Sequence, residues 1–251
     1  MKPVHVSAYI ESLQSGFAKP TIKQHPAAIR MLFDCLVVGQ IIEVNPAHAV
    51  RGPRHVVKKG RTPVLNREEV RALLTSIDIS TLKGLRDRAL IAVMIYTFAR
   101  IGAVLRMNVG DYFIQGRRGW IRLHKKGDKE HEAPCVSRLE TYLDEYIAAA
   151  GIADDKDSPL WRTTGRFTGT PHRMTQQDGY RMIQRRARQA GIKTRIGNHS
   201  MRATGITDYL KSEGTLEHAQ TMAAHSSPRT SKLYDRRNDE TALDEYDKVR
   251  I

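Results

Sequence analysis

The sequence predicts a mainly α-helical protein with one small antiparallel β-sheet. Three observations carry this. Apolar residues recur at helical spacing through both ends of the chain. Short strand-like runs gather only between residues 112 and 135. The order is therefore helices, sheet, helices, without the strand–helix alternation of a parallel sheet.

Val6 to Leu13 opens the chain with helical spacing. Thr21 is a candidate cap for a longer helix running through Ile29 to Phe33 and Leu36 to Val38. Pro26 falls near its first turns, where proline does least harm, and Gly39 suits its C-cap. Asn45-Pro46 opens a further turn or short helix. The stretch from Arg51 to Arg61 then holds Arg51, Arg54, Lys58, Lys59 and Arg61, no acid, one proline and two glycines. That composition reads as a linker, and its single sign of charge suits a path along a DNA backbone.

A new unit starts at the capping-box pattern of Asn66 and Glu69. Helices are predicted over 67–76, 83–98 and 100–107. Strands follow near 112–114, 119–124 and 131–135, the last two joined by the turn Lys126-Gly127-Asp128-Lys129. Helices return at 137–150, 174–190, 200–212 and 215–224. A short helix carries Tyr234, and a final one spans about 239–248. The domain reading is 1–50, a linker over 51–65, and 66–251.

The charge narrows the function. Forty-one Lys and Arg against 27 Asp and Glu leave a formal +14, which favours nucleic acid over a mere solubility device. At 40% hydrophobic residues a packed core is expected. Cys35 and Cys135 lie far apart and fit no metal spacing, so two reduced thiols are expected. There is no apolar run of the ~18 residues a membrane span needs, and the N-terminus lacks a signal-peptide core. A cytoplasmic, nucleoid-associated protein is the expectation.

The last quarter holds the most informative cluster. His199-x-x-Arg202 places an imidazole and a guanidinium one turn apart on one helix face. His225 and Tyr234 follow. Two histidines, an arginine and a tyrosine form an anion-binding cluster with a potential nucleophile. That set suits chemistry on a phosphodiester, and no carboxylate cage for a metal accompanies it. Taken singly, each of these side chains has a blander reading as a packed or salt-bridged residue.

Three blocks together resemble the tyrosine recombinases, the phage integrase family. Tyr96 to Leu105, with Arg100 inside it and Asp111 beyond, is similar to the family's first arginine box. Lys125 to Glu130, running on to Pro134, is similar to its lysine hairpin and puts that lysine at Lys126. The third block is His199-x-x-Arg202, then Ala223-Ala224-His225-Ser226-Ser227, then Tyr234, keeping the nine-residue gap from 225 to 234. The chain departs from the pattern at Ala103, where an acid is usual, and at Phe98-Ala99, where a small-residue turn is usual. Its helical N-terminal segment is also short for a core-binding domain.

The resemblance implies a short helical core-binding segment, a basic linker and a recombinase-like catalytic domain. It implies a site-specific recombinase or integrase that cuts and rejoins double-stranded DNA through a 3′-phosphotyrosine, with no cofactor and no metal, as a tetramer on DNA. Tyr234 would be the nucleophile. Arg100 and Arg202 would clamp the phosphate oxygens, and Lys126 would protonate the leaving 5′-oxygen, with Lys125 and Lys129 as competitors. His199 would take the tyrosine proton, and His225 would hydrogen-bond a non-bridging oxygen. Arg181, Arg185, Arg186 and Arg188 share one helix and read as DNA-backbone contacts or as a solvated face. The tail helix docks either on a neighbouring copy or in cis. Two rivals remain at this stage: a type IB topoisomerase acting as a monomer, and a decayed, non-catalytic DNA-binding module.

Overall fold

The computed structural model describes residues 1–57, 60–124, 130–163, 172–236 and 248. The chain divides into two compact units, Met1–Lys58 and Lys59–Ile251. The division falls inside the basic stretch, and its second half is built structure within the second unit. Gly60 donates its amide to the Leu233 carbonyl at 3.0 Å, and Arg236 donates to the Thr62 carbonyl at 2.7 Å. Leu65 is buried and donates its amide to the Thr204 hydroxyl at 3.0 Å.

The first unit holds α1 (Pro3–Ser12) and α2 (Lys19–Val38). Val6, Ile10 and Leu13 meet Ile22, Ala47 and Val50 in a small core. α2 starts two residues before the expected cap Thr21. Pro20 explains this: its fixed φ suits the first helical turn, where an amide has no helical partner to lose. Asn45 fastens the segment after α2. Its Nδ2 donates to the Asp34 carboxylate at 2.7 Å and the Arg30 carbonyl at 3.0 Å, while Oδ1 accepts from the Ala47 amide at 2.8 Å.

The second unit begins with α3 (Arg67–Thr75), whose capping box is closed in both directions between Asn66 and Glu69. α4 (Leu82–Tyr96) is the central helix, and every side chain from Ala89 to Met94 is fully buried. A helix buried all round reads as an apolar run instead of a stripe, which is how 89–95 appears in the sequence. α5 (Ile101–Arg106) leads into three strands, β1 (Tyr112–Gln115), β2 (Arg118–His124) and β3 (Glu130–Pro134). They form an antiparallel sheet in the order β1-β2-β3, with Tyr112 opposite Ile121 and Leu123 opposite His131. Ile121 and Leu123 alternate inward, as a sheet covered on one face requires.

α6 (Ser137–Ala150) and α8 (Asn198–Lys211) pack against α4. Gly205 permits the closeness of α8: a Cβ there would lie 2.1 Å from the Ile95 carbonyl oxygen. α7 (Gln176–Gln189), α9 (Leu216–Ala223) and α10 (Pro228–Lys232) complete the described unit. Tyr234 follows α10 and is not carried within it. The turn at 126–129 and residues 239–247 of the expected final helix lie outside the described residues. No described helix is long and apolar enough to cross a membrane.

Candidate active site

The two arginines expected at the phosphate come from different elements. After α4 ends, Phe98 turns the backbone to φ 54°, a left-handed conformation that is strained for a bulky residue. Burial of its ring in a cluster with Ile206 and Leu210, edge-on to Tyr209, holds that turn. The turn delivers Arg100 to the start of α5 with its side chain exposed. Arg202 lies on the buried face of α8, only 4% exposed. Its guanidinium donates to the Phe98 carbonyl and, at 2.7 Å, to the Ala223 carbonyl. Ala223 ends α9, where carbonyls lack helical partners and the helix dipole favours a cation.

Burial pushes the Arg202 pKa down to about 10, and the positive Arg100 adds to this. Tyr234 acts in the other direction, chiefly through its charge and then through its polar oxygen near the guanidinium. Among the described residues no ion pair joins Arg100 or Arg202 to a carboxylate. A buried guanidinium beside a second cation, satisfied by neutral oxygens, is an arrangement that an anion stabilises.

Arg100, Arg202 and His199 line one cavity of about 260 Å³, together with Gln176 and His131. His199 is exposed in the first turn of α8. Beyond α9 the backbone turns left-handed at Ala224, φ 47°, and presents His225. The His225 ring stacks on Tyr234 at 5.7 Å and 7°, and its Nδ1 shares a 2.8 Å hydrogen bond with the buried Ser231 hydroxyl. Burial, then the charges of Arg202 and Arg100, push the His225 pKa down to about 4. It is therefore neutral near pH 7, and when Ser231 donates to Nδ1 the proton sits on Nε2.

Of the sequence candidates, the structure thus brings together Arg100, His199, Arg202, His225 and Tyr234. Lys58, Lys59, Lys125, Lys126 and Lys129 lie outside the described residues. Arg51 and Arg54 are exposed in the first unit. Arg61 lines a groove of about 830 Å³ in the second unit, with Arg195, Asn198 and His199. Arg181 is exposed on α7.

Arg185 and Arg186 have a partner inside the fold. Both turn to the fully buried Asp87, each at 2.8 Å, where Arg86 also pairs at 2.6 Å. A buried carboxylate needs such partners, so this part of the arginine row holds α7 to α4. Ala103, where an acid is usual in the resembling family, is buried against the cavity. Sequence reasoning also missed Ser231, His131 and the two carbonyls that hold Arg202. A backbone carbonyl carries no side-chain signal that would have revealed it.

Comparison with known proteins gives a consistent result. The model of the phage integrase family matches residues 63–241. A tyrosine recombinase XerC of Chlamydia caviae is 29% identical over 225 residues, covering 90% of this chain and 70% of the relative. A tyrosine recombinase XerD of Listeria monocytogenes is 26% identical over 222 residues, covering 88% of this chain and 73% of that one. Among solved structures, XerH recombinase in a post-cleavage complex with its difH substrate aligns with a TM-score of 0.76 at 22% identity, over 99% of this chain and 72% of that one. A λ integrase dimer on a core site aligns at 0.65 and 15% identity, over 93% and 64%. The two arginines, two histidines and tyrosine sit within the matched span, and the chain belongs to the phage integrase family.

Proposed function

We propose that this chain is a site-specific DNA recombinase whose Tyr234 attacks a backbone phosphate. The carrying observation is the placement, in one chain, of Tyr234 beside the buried Arg202 guanidinium and Arg100, with the neutral His225 stacked on its ring. In the reaction, the Tyr234 oxygen bonds to phosphorus as the P–O5′ bond breaks. A 3′-phosphotyrosine forms and a 5′-hydroxyl departs, and attack by a 5′-hydroxyl reverses the step on a new strand.

Arg100 and Arg202 would bind the non-bridging oxygens as negative charge grows on them. His225 would donate one further hydrogen bond. His199, exposed at the cavity mouth, would accept the phenol proton. Lys126 would give a proton to the departing O5′. Arg51, Arg54, Lys58, Lys59, Arg61, Lys125, Lys129 and Arg181 would bind the DNA backbone, and exchange of strands between two duplexes would use a tetramer. Arg185, paired with Asp87 but 35% exposed, would join this set.

The λ integrase and XerH structures are DNA complexes by their own descriptions, which supports double-stranded DNA as the substrate class. The test is a duplex nicked near the cut, from which the released fragment diffuses away. Wild type accumulates a covalent protein–DNA product, whereas Tyr234→Phe binds the duplex and gives none. A wild type that binds its site without forming the product would leave only a DNA-binding role. Relaxation of supercoils without joining of two duplexes would favour a topoisomerase.

A further inference from the structure

His131 is not among the residues the sequence singled out, yet it lines the same cavity as Arg100, His199 and Arg202. It sits on β3, at the base of the hairpin, opposite Leu123. Its Nε2 is 3.2 Å from the Met222 carbonyl oxygen. A carbonyl only accepts, so Nε2 carries the proton and donates it.

Met222 and Ala223 are the last two residues of α9, and their carbonyls have no helical amide to accept from. His131 satisfies the first of them and Arg202 the second. Ala224 follows at φ 47°, and His225 comes next, with its ring stacked on Tyr234. Four consecutive residues thus link the sheet, the buried arginine and the tyrosine. The two hydrogen bonds hold consecutive peptide units joined at the Ala223 Cα, so loss of one frees the other to shift.

We infer that His131 is a positioning residue for DNA cleavage: by donating to the Met222 carbonyl it fixes the end of α9 that orients Arg202 and His225. This rests on the cleavage reading above. Its effect reaches the phosphate through Arg202 and His225, on the non-bridging side, and not through the leaving group.

The experiment is single-turnover formation of the covalent product by full-length chain on nicked duplex, with DNA binding and melting temperature measured alongside. His131→Phe removes the donor and keeps the ring volume. It should slow the reaction about 10- to 100-fold, the scale of an ångström's misplacement at a reacting centre, with DNA affinity unchanged. His131→Gln keeps a side-chain donor and should regain much of that loss. A substrate with sulfur in place of the bridging 5′-oxygen releases a thiolate that needs no proton, and it should leave the His131→Phe defect in place.

The inference is overturned if His131→Phe cleaves as fast as wild type, if His131→Gln is no faster than His131→Phe, or if the sulfur substrate restores the rate. The last result would put His131 on the leaving-group side. Should His131→Phe lose its fold or its DNA binding, His131→Asn takes its place: its amide stops short of the carbonyl, and it should be slower than His131→Gln. A wild type that forms no product defeats the cleavage reading itself, a result distinct from each of these.

Discussion

Two groups of arginines in the second unit are each built around a buried group, Asp87 in one and Arg202 in the other, and they differ in what balances them. Around Asp87, three guanidiniums from α4 and α7 converge on one fully buried carboxylate. Around the cavity, Arg202 is held by two backbone carbonyls, with Arg100 and Tyr234 beside it. The first group contains its own anion, and removing that anion should harm the fold. The second is oriented by neutral dipoles, so its charge is left for something that binds. Carbonyls fix the direction of a guanidinium without cancelling it, which is the preorganisation that stabilises a developing charge.

The difference can be broken first at Arg202. Arg202→Lys keeps a positive charge but cannot reach two carbonyls and a phosphate in one plane. Cleavage should fall by about 10³ or more, on the scale of other phosphoryl-transfer arginines. The melting temperature should change little, because a buried cation is replaced by one that is easier to neutralise. Single-turnover cleavage and a thermal melt of one preparation check both halves.

Asp87→Asn should do the reverse. It leaves Arg86, Arg185 and Arg186 without their carboxylate and should cost about 3–5 kcal/mol of stability, read by urea unfolding. At temperatures where the variant is folded, its cleavage rate should stay near that of wild type. Loss of cleavage without loss of stability would mean that the two clusters are not separate.

A smaller effect sharpens the account of the cavity. His225 has its pKa pushed down to about 4 in the fold. The unfolded chain takes up that proton near the ordinary histidine value of about 6.5. Between these limits the unfolded state binds more protons, so stability should fall as pH drops from about 6.5 towards about 4. His225→Asn should flatten that part of the curve. Urea unfolding at several pH values gives the comparison, and parallel curves for wild type and variant would contradict the burial of this imidazole.

The same contrast shows what was legible in the sequence. The elements were legible where apolar period and caps act locally: 137–150 coincides with α6, and Asn66 closes its box. The cluster of Arg100, His199, Arg202, His225 and Tyr234 was legible because its spacings follow a family pattern. Asp87 was not, since an Arg-Asp-Arg run in an amphipathic-looking segment does not show that its carboxylate is buried. Nor was the grip on Arg202, because carbonyl acceptors arise from how α4, α8 and α9 meet. The partner of Arg185 was not legible for the same reason: a cation in a helix does not show, in sequence, which anion it faces. The start of α2 was missed because Pro20 outweighs Thr21 as a helix-opening residue.

The central claim is that the phenol of Tyr234, beside Arg202, is the group that becomes joined to DNA. The most direct measurement is to trap the covalent product on a nicked duplex, digest the protein, and locate the attached nucleotide by mass spectrometry. The account requires the 3′-phosphate of the cut strand on the peptide containing Tyr234. A nucleotide on any other residue, or on the 5′-phosphate side of the cut, would contradict it.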